Sequence, residues 1–569
     1  MSYVCPDPPD LEPLRRALLQ SLVAGALLFG FQLAFPRFSE RIAGHVWKGL
    51  LPFARRALPC SLALFGLVVI VRVALLPRFP VPAPGIHDEF SYLLMGDTFA
   101  HGRLANPPHP MWMSFETFHV NWIPRYASMY PPAQGAVLAI GELLGHPWIG
   151  VLLSCAVLCG VIYWMLLAWL PPRWALLGGL LVWLKFGIVS YWMNSYWGGA
   201  VAAIGGALLL GALARILRRP SIRDALLLAL GLAILANSRP YEGLLFALPA
   251  FFVLARWLLK TGHVNMPIAL RWRVVALPAG CALLLAGSFM LCYNWRLTGH
   301  TFLMPHSLNV RTYHSAPMFL FQASQPPKHY NNQQFEDFYN GWEREEYDHS
   351  WASIKCLGWL KSVRFFSAYS WWGVLLAAPA LWLALRNQKM WLPWIAFLLV
   401  AAGSYLVVWS NAHYAAPVTG VVVLLYLQAL RHLRLIGTRR WRLGAILART
   451  SILLLLVDTA GAVVRKQCDT FYWTCQGDIS RLVIQQKLQA LPGKHLVIVR
   501  YGDDHNIHDD WVYNGAEIDS AKVVWAREIG EEQDGKLLEY FRDRKAWLVT
   551  PDSDNTYLAP YTPPQDREK

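Results

Sequence analysis

Runs of roughly twenty mostly apolar residues recur from residue 17 to residue 462, and no other feature narrows the fold so far. A helix rises about 1.5 Å per residue, so about twenty residues cross the hydrocarbon core of a bilayer, where every backbone N–H and C=O must be bonded internally. Twelve such runs can be drawn, at 17–35, 58–76, 147–170, 174–193, 198–217, 223–238, 242–259, 274–294, 368–386, 390–409, 413–430 and 443–462. Hydrophobic residues make up 55% of the chain and charged ones 15%, a balance that excludes an ordinary soluble enzyme of 569 residues. The expected class is an all-α polytopic membrane protein of about twelve transmembrane helices with a small C-terminal α/β domain.

A net charge of +15 would suit a nucleic-acid binder, but the basic residues sit in short connections between the apolar runs. Arg37, Arg41, Lys48, Arg55 and Arg56 fill one connection; Arg215, Arg218, Arg219 and Arg223 fill another. Arg256, Lys260, Arg271 and Arg273 fill a third, and Arg431, Arg434, Arg439, Arg440 and Arg442 the last. Basic groups resist translocation, so these connections are expected in the cytoplasm, with no nucleic-acid partner. The long segments 77–146, 295–367 and 463–569, and both termini, then fall outside. The first run lacks a small-residue cleavage site and reads as an uncleaved span. Three parts follow: an extra helix and basic loop over 1–57, a membrane body over 58–462, and a soluble tail over 463–569.

The tail carries 18 acidic and 14 basic residues. Its pattern predicts helices near 477–490 and 532–542 and strands at 496–499, 523–525 and 546–549, in a short parallel or mixed sheet. No phosphate-binding glycine motif occurs in it. The run Asp503-Asp504-His505-Asn506-Ile507-His508-Asp509-Asp510 offers oxygens and imidazoles to a cation, but its spacing is not that of an EF-hand, and a solvated loop is the simpler reading. Cys60, Cys155, Cys159, Cys281 and Cys292 fall in spans and read as small core residues. Cys468 and Cys475 lie just beyond the last span, where a disulfide and two free thiols are equally compatible with the spacing. No zinc-type Cys/His pattern occurs, and no metal ligands are assigned.

The most informative stretch is Gly85-Ile86-His87-Asp88-Glu89-Phe90-Ser91-Tyr92-Leu93, just beyond the second run. Adjacent carboxylates at a membrane surface either open a solvated helix, with Asp88 as cap, or project into a polar cavity. The loop then runs on to Tyr126-Ala127-Ser128-Met129-Tyr130-Pro131-Pro132-Ala133-Gln134-Gly135, and later come Arg239-Pro240 and His413-Tyr414-Ala415-Ala416-Pro417. With these pieces the chain resembles, over roughly residues 58–430, the GT-C class of polytopic glycosyltransferases. The branch is the protein O-mannosyltransferase-like one that includes bacterial aminoarabinose and galacturonic acid transferases. It departs from that pattern in the extra run at 17–35. It also lacks a second acidic position near Tyr191-Trp192-Met193-Asn194-Ser195-Tyr196-Trp197-Gly198-Gly199, which counts against a metal-dependent version.

The resemblance implies transfer of a sugar from a polyprenyl-phosphate-linked donor to an acceptor hydroxyl or amine on the outer face of a bacterial inner membrane. The acceptor would be a glycolipid, a polysaccharide or a protein; membrane lipids are the surrounding partner, and a divalent cation is left open as cofactor. Asp88 would be the general base, its pKa raised by partial dehydration, with Glu89 orienting it or binding acceptor. Arg239, Arg296, Arg125 and His413 would hold the donor phosphate, with Arg311 a further outer-side arginine. Tyr130, Asn194, Tyr241, Tyr293 and Tyr414 would contact substrate. The plainer reading makes the arginines lipid-headgroup ligands, His413 an interface histidine, and 191–199 part of an aromatic belt. Segment 295–367, with a short helix near 335–340, would either close over the site or cap it structurally, and Trp359 to Trp372 would lie at the interface. A twelve-span secondary transporter of a polar solute is the competing class, with Lys185 inside the 174–193 run as its best marker, although no repeat of two halves is visible.

Overall fold

The computed structural model describes residues 12–259, 266–347, 351–369, 371–437, 442–467, 477–552 and 557–562. Cys468 and Cys475, Lys260, Arg439 and Arg440 therefore lie outside the described residues. Every one of the twelve apolar runs is at least partly helical. Eight helices are long and apolar enough to cross a membrane: Arg15–Ala34, Ala57–Ala74, Pro147–Leu166, Pro240–Leu259, Ile268–Thr298, Gln388–Leu406, Ala412–Leu433 and Leu443–Arg465. The other runs make shorter helices, Pro172–Phe186, Ala200–Ile216, Ile222–Ala236 and Ala378–Leu385. Pro147–Leu166 and Pro172–Phe186 begin with proline at the first position, whose missing N–H has no partner there anyway, and Ala378–Leu385 carries Pro379 second. Ala200–Ile216 and Ile222–Ala236 approach closely through Gly205 and Gly231: a Cβ on Gly231 would lie 2.7 Å from the Gly205 carbonyl oxygen. Small residues let backbones meet where dispersion, rather than water, drives association.

Three expectations about these segments are corrected. The basic connection 36–56 is a helix, Pro36–Ala54, with Phe38 and Ile42 exposed beside Arg37 and Arg41. The run 174–193 stops being helical at Phe186, and residues 187–199 form a chain of tight turns buried inside the protein rather than an aromatic belt. Fully buried Arg72, a charge inside the run 58–76, explains why: its guanidinium donates to Asn194 Oδ1 at 2.9 Å and to the Phe79 carbonyl at 2.8 Å, so the turns serve as its solvent. The run 368–386 is broken, the helix Trp351–Tyr369 ending within it before a short turn Trp372–Leu376 and then Ala378–Leu385. Cys281 and Cys292 are exposed on their helix instead of packed in the core, whereas Cys60, Cys155 and Cys159 are buried. Cys356, not singled out by its sequence context, is disulfide-bonded.

At one end of the helical body lie the helix His87–Ala100, a small hairpin of Val120–Asn121 with Ala127–Ser128, and the helices Pro305–Thr312 and Gln333–Phe335, the last continuing to Glu346. The tail packs on this end. Its helix Ile479–Ala490 precedes a central strand His495–Val499, flanked in parallel by Val523–Arg527 and Lys545–Thr550, with Tyr557–Pro560 antiparallel at the edge. The sheet is mixed, as its pattern allows. Leu496, Ile498 and Val524 share one apolar cluster with Leu94, Phe115, Val120 and Trp122 of the first long loop. Within the tail the Arg481 guanidinium lies 4.4 Å from the Trp525 ring and donates to the Trp511 and Tyr513 carbonyls at 2.8 and 2.9 Å, and it reaches the loop at the Phe90 ring, 5.5 Å away.

Candidate active site

The helix His87–Ala100 opens on His87, Asp88 and Glu89, where the N-terminal dipole favours negative charge. Both carboxylates are buried, Asp88 at 9% exposure and Glu89 at 1%, so the solvated-cap reading does not describe them. They diverge at once. Glu89 accepts the Gly85 N–H at 2.8 Å and the Tyr196 N–H at 2.7 Å, tying the entry of the helix to the buried turns 187–199. Burial pushes its carboxyl up to about 8 against those two donors, with Asp88 adding to the rise. With both oxygens engaged, Glu89 ties together the backbone at the head of this helix.

Asp88 accepts a hydrogen bond from the Tyr130 hydroxyl. Its Oδ2 lies 3.4 Å from His87 Nδ1 and 3.8 Å from His119 Nε2. Burial alone would raise this carboxyl, but His119, His87 and Tyr130 together outweigh burial and hold it well below the usual carboxylate range. The expectation of a raised Asp88 pKa is therefore reversed, because two imidazoles and a phenol replace the water that is lost. Burial drives His119 well below the ordinary histidine value, against the opposing pull of Asp88. Its backbone has φ of 61°, uncommon for a residue with a side chain, and is held there by Ser91 Oγ donating to its carbonyl at 2.7 Å and by the Met129 N–H at 3.0 Å.

His87, Asp88 and His119 offer ligand atoms that all lie within 4.8 Å of one another. His87 Nε2 and His119 Nδ1 are buried and have no hydrogen-bond partner among the described residues. Two imidazoles and a carboxylate fit a divalent transition ion such as zinc. The sequence assigned no metal ligands because His119 lies far from the Asp-Glu pair along the chain and meets it only through the loop.

On its other side Asp88 adjoins a set of phenols. Tyr92 and Tyr130 stack with centroids 4.3 Å apart, and Tyr92 and Tyr414 each lie within electrostatic reach of both Asp88 and Arg239. The Arg239 guanidinium lies over the Tyr414 ring at 4.0 Å, half-buried just before the helix Pro240–Leu259. Among the described residues no carboxylate comes within ion-pair distance of it, although Glu242 is buried one turn away. His306 borders the same region, held down to about 4 by burial with His314 and Arg239 adding to the effect. His413 is buried, 3.3 Å from the Tyr191 hydroxyl through Nδ1, while its Nε2 has no partner among the described residues.

The structure thus brings Asp88, Tyr130, Arg239, His413 and Tyr414 into one neighbourhood. Arg125 and Arg296 are exposed, and neither is among the charges acting on Asp88, Tyr92 or Tyr414. Asn194 is spent on Arg72, Tyr241 donates to the Gly403 carbonyl at 3.2 Å, and Tyr293 borders a separate small cavity of about 20 Å³ with Asn237 and His306. Lys185 is buried and donates to the Ser367 carbonyl at 2.9 Å on the wall of an apolar cavity of about 250 Å³. In the tail, His505 pairs with Asp552 at 2.7 Å and Asp510 is taken up by Thr117, Tyr501 and Arg527, whereas Asp503 and Asp504 are exposed. Sequence reasoning missed His87, Tyr92, His119 and His306; only His87 and Tyr92 stood in a stretch already singled out.

No family profile matches the sequence, and no curated protein matches it. Solved structures with a similar chain arrangement include ArnT from Cupriavidus metallidurans in the apo state, with a TM-score of 0.47 at 14% identity over 86% of this chain and 93% of that one. The same protein bound to undecaprenyl phosphate gives 0.47 and 14% over 85% and 93%. The Archaeoglobus fulgidus oligosaccharyltransferase tethered with an acceptor peptide gives 0.45 and 11% over 86% and 68%. At these identities and scores the similarity stops at the arrangement of the chain, and the chemistry lies in the residues described above.

Proposed function

We propose that this integral membrane protein is a glycosyltransferase. It moves a sugar from a polyprenyl-phosphate-linked donor to an acceptor hydroxyl or amine on the outer face of a bacterial inner membrane. The observation that carries this reading is the pairing of an ionised, buried Asp88 with an Arg239 that has no carboxylate partner among the described residues, joined by Tyr92, Tyr130 and Tyr414 at the head of a membrane helix.

A lipid-phosphate leaving group gains negative charge as the glycosidic bond breaks, and a fixed guanidinium grips its oxygens without reorganising. Arg239 fills that role, with His413 Nε2 a further donor. The sugar carbon gains positive charge at the same moment, and the carboxylate of Asp88 opposes it. Because its neighbours keep Asp88 ionised, it takes the acceptor proton late, when bond formation has made that proton strongly acidic. One displacement with one proton acceptor gives inversion. A divalent cation held by His87, Asp88 and His119 would supply Lewis acidity beside the reacting centre. The remaining work belongs to the side chains: Tyr130 orients Asp88, and Glu89 fixes the backbone that presents it.

The test is sugar transfer by the purified protein in lipid nanodiscs, from a panel of labelled polyprenyl-phosphate sugars into membrane extract. Transfer from at least one donor is expected. Uptake of a solute into proteoliposomes with no transfer from any donor would replace this reading with the transporter.

A further inference from the structure

The tail reaches the candidate site through His508. The His508 ring lies 6.0 Å from that of His87, 4.8 Å from Trp342 and 6.0 Å from Phe338, centroid to centroid. Its loop is fixed rather than loose. Asn506 Oδ1 accepts the His508 N–H at 3.1 Å, and buried Asp510, two residues on, takes the Thr117 hydroxyl at 2.6 Å and Arg527 at 3.3 Å. Yet neither ring nitrogen of half-buried His508 has a hydrogen bond among the described residues. Trp342 is likewise half-buried and stands 4.9 Å from Phe338. An aromatic face beside an imidazole that can both donate and accept matches a sugar ring, whose C–H face stacks and whose hydroxyls do both.

We propose that His508 and Trp342 form the acceptor subsite, and that the acceptor it takes is a carbohydrate presenting a free hydroxyl. The inference rests on the glycosyltransferase reading. Arg239 communicates with Asp88 through Tyr92, Tyr130 and Tyr414, whereas His508 meets it through His87, so the two approach Asp88 by different neighbours. In a single displacement the acceptor arrives away from the leaving phosphate. A lone pair on the acceptor oxygen forms the new bond to the anomeric carbon. The bond from that carbon to the phosphate oxygen breaks, its electrons go to the phosphate at Arg239, and the hydroxyl proton goes to Asp88. In this proposal the acceptor enters by the side reached through His87, which His508 and Trp342 border. The tail is then a wall of the active site rather than an appendage.

The full-length protein in nanodiscs is measured two ways: binding of undecaprenyl phosphate, and the concentration of extract acceptor that gives half-maximal transfer. His508→Ala and Trp342→Ala are each expected to raise the acceptor concentration at least tenfold while undecaprenyl phosphate affinity stays within twofold, and His508→Gln to recover most of the loss. A single elution peak and an unchanged melting temperature show that the variants are folded. An unchanged acceptor requirement with active wild type overturns the subsite alone, as does weakened undecaprenyl phosphate binding in folded variants or a product that protease destroys. A wild type that neither binds undecaprenyl phosphate nor transfers sugar overturns the glycosyltransferase reading and this inference with it.

Discussion

Two stretches of this chain look alike on paper: His87-Asp88-Glu89 in the first long loop, and the run from Asp503 to Asp510 in the tail. Both crowd acids and histidines into a few residues. In the tail two of these groups are taken up by protein partners, Asp510 by Thr117, Tyr501 and Arg527, and His505 by Asp552. At the loop, Asp88 keeps its charge while the imidazoles of His87 and His119 hold nitrogens with no partner among the described residues. The difference lies in which buried polar atoms remain unspent, since a buried group without a partner costs stability unless a ligand or water repays it.

The comparison breaks first at the charged pair. Arg239→Met should lower the transfer rate about a thousandfold and abolish undecaprenyl phosphate binding, as loss of a preorganised charge at a leaving group commonly does; an active variant would take phosphate recognition away from this site. Asp88→Asn should cost a factor of about a hundred to ten thousand in rate per folded molecule. Asp510→Asn should act on stability instead. It breaks an ion pair whose side chains are each 1% exposed, so a stability loss of about 3–5 kcal/mol in thermal or chemical unfolding is expected, with turnover per folded molecule conserved. Equal activity losses in Asp88→Asn and Asp510→Asn would erase the distinction drawn between the two stretches.

Smaller effects sharpen it. His306 is held at about 4 by burial, below its unfolded value near 6.5, so unfolding takes up a proton between those values. Stability should be full above about pH 6.5 and decline as pH falls toward about 4, and His306→Gln should flatten that decline in melting curves. Arg296→Ala, at an exposed position, should leave transfer within about twofold, as surface substitutions usually do.

Much of the fold was legible because apolar length and basic connections report on hydrocarbon directly, and each of the twelve runs contains helix. The failures at 187–199 and 36–56 share a cause. Hydropathy averages over a window and does not see that Arg72 must be solvated by Asn194, nor that a basic connection with Phe38 and Ile42 on it folds as an amphipathic helix. At the site, Asp88, Arg239, His413 and Tyr414 were found from motifs, but His119 and His508 were not identified as site residues. They arrive from a loop and from the tail, and only packing brings them to Asp88. The pKa of Asp88 was misjudged for the same reason: burial is visible in a sequence pattern, and partners are not.

Arg72 also constrains how the protein is made. The helix Ala57–Ala74 leaves the ribosome carrying a guanidinium whose side-chain acceptor, Asn194, is synthesised 122 residues later. An arginine within a hydrophobic helix costs insertion about 2.5–3.5 kcal/mol near its middle and less near its end. Arg72 lies in the last turn, where the Phe79 carbonyl can serve it first. Membrane integration of this chain is therefore a deferred process, with an early helix waiting at the bilayer edge until the segment that completes its neutralisation has entered beside it.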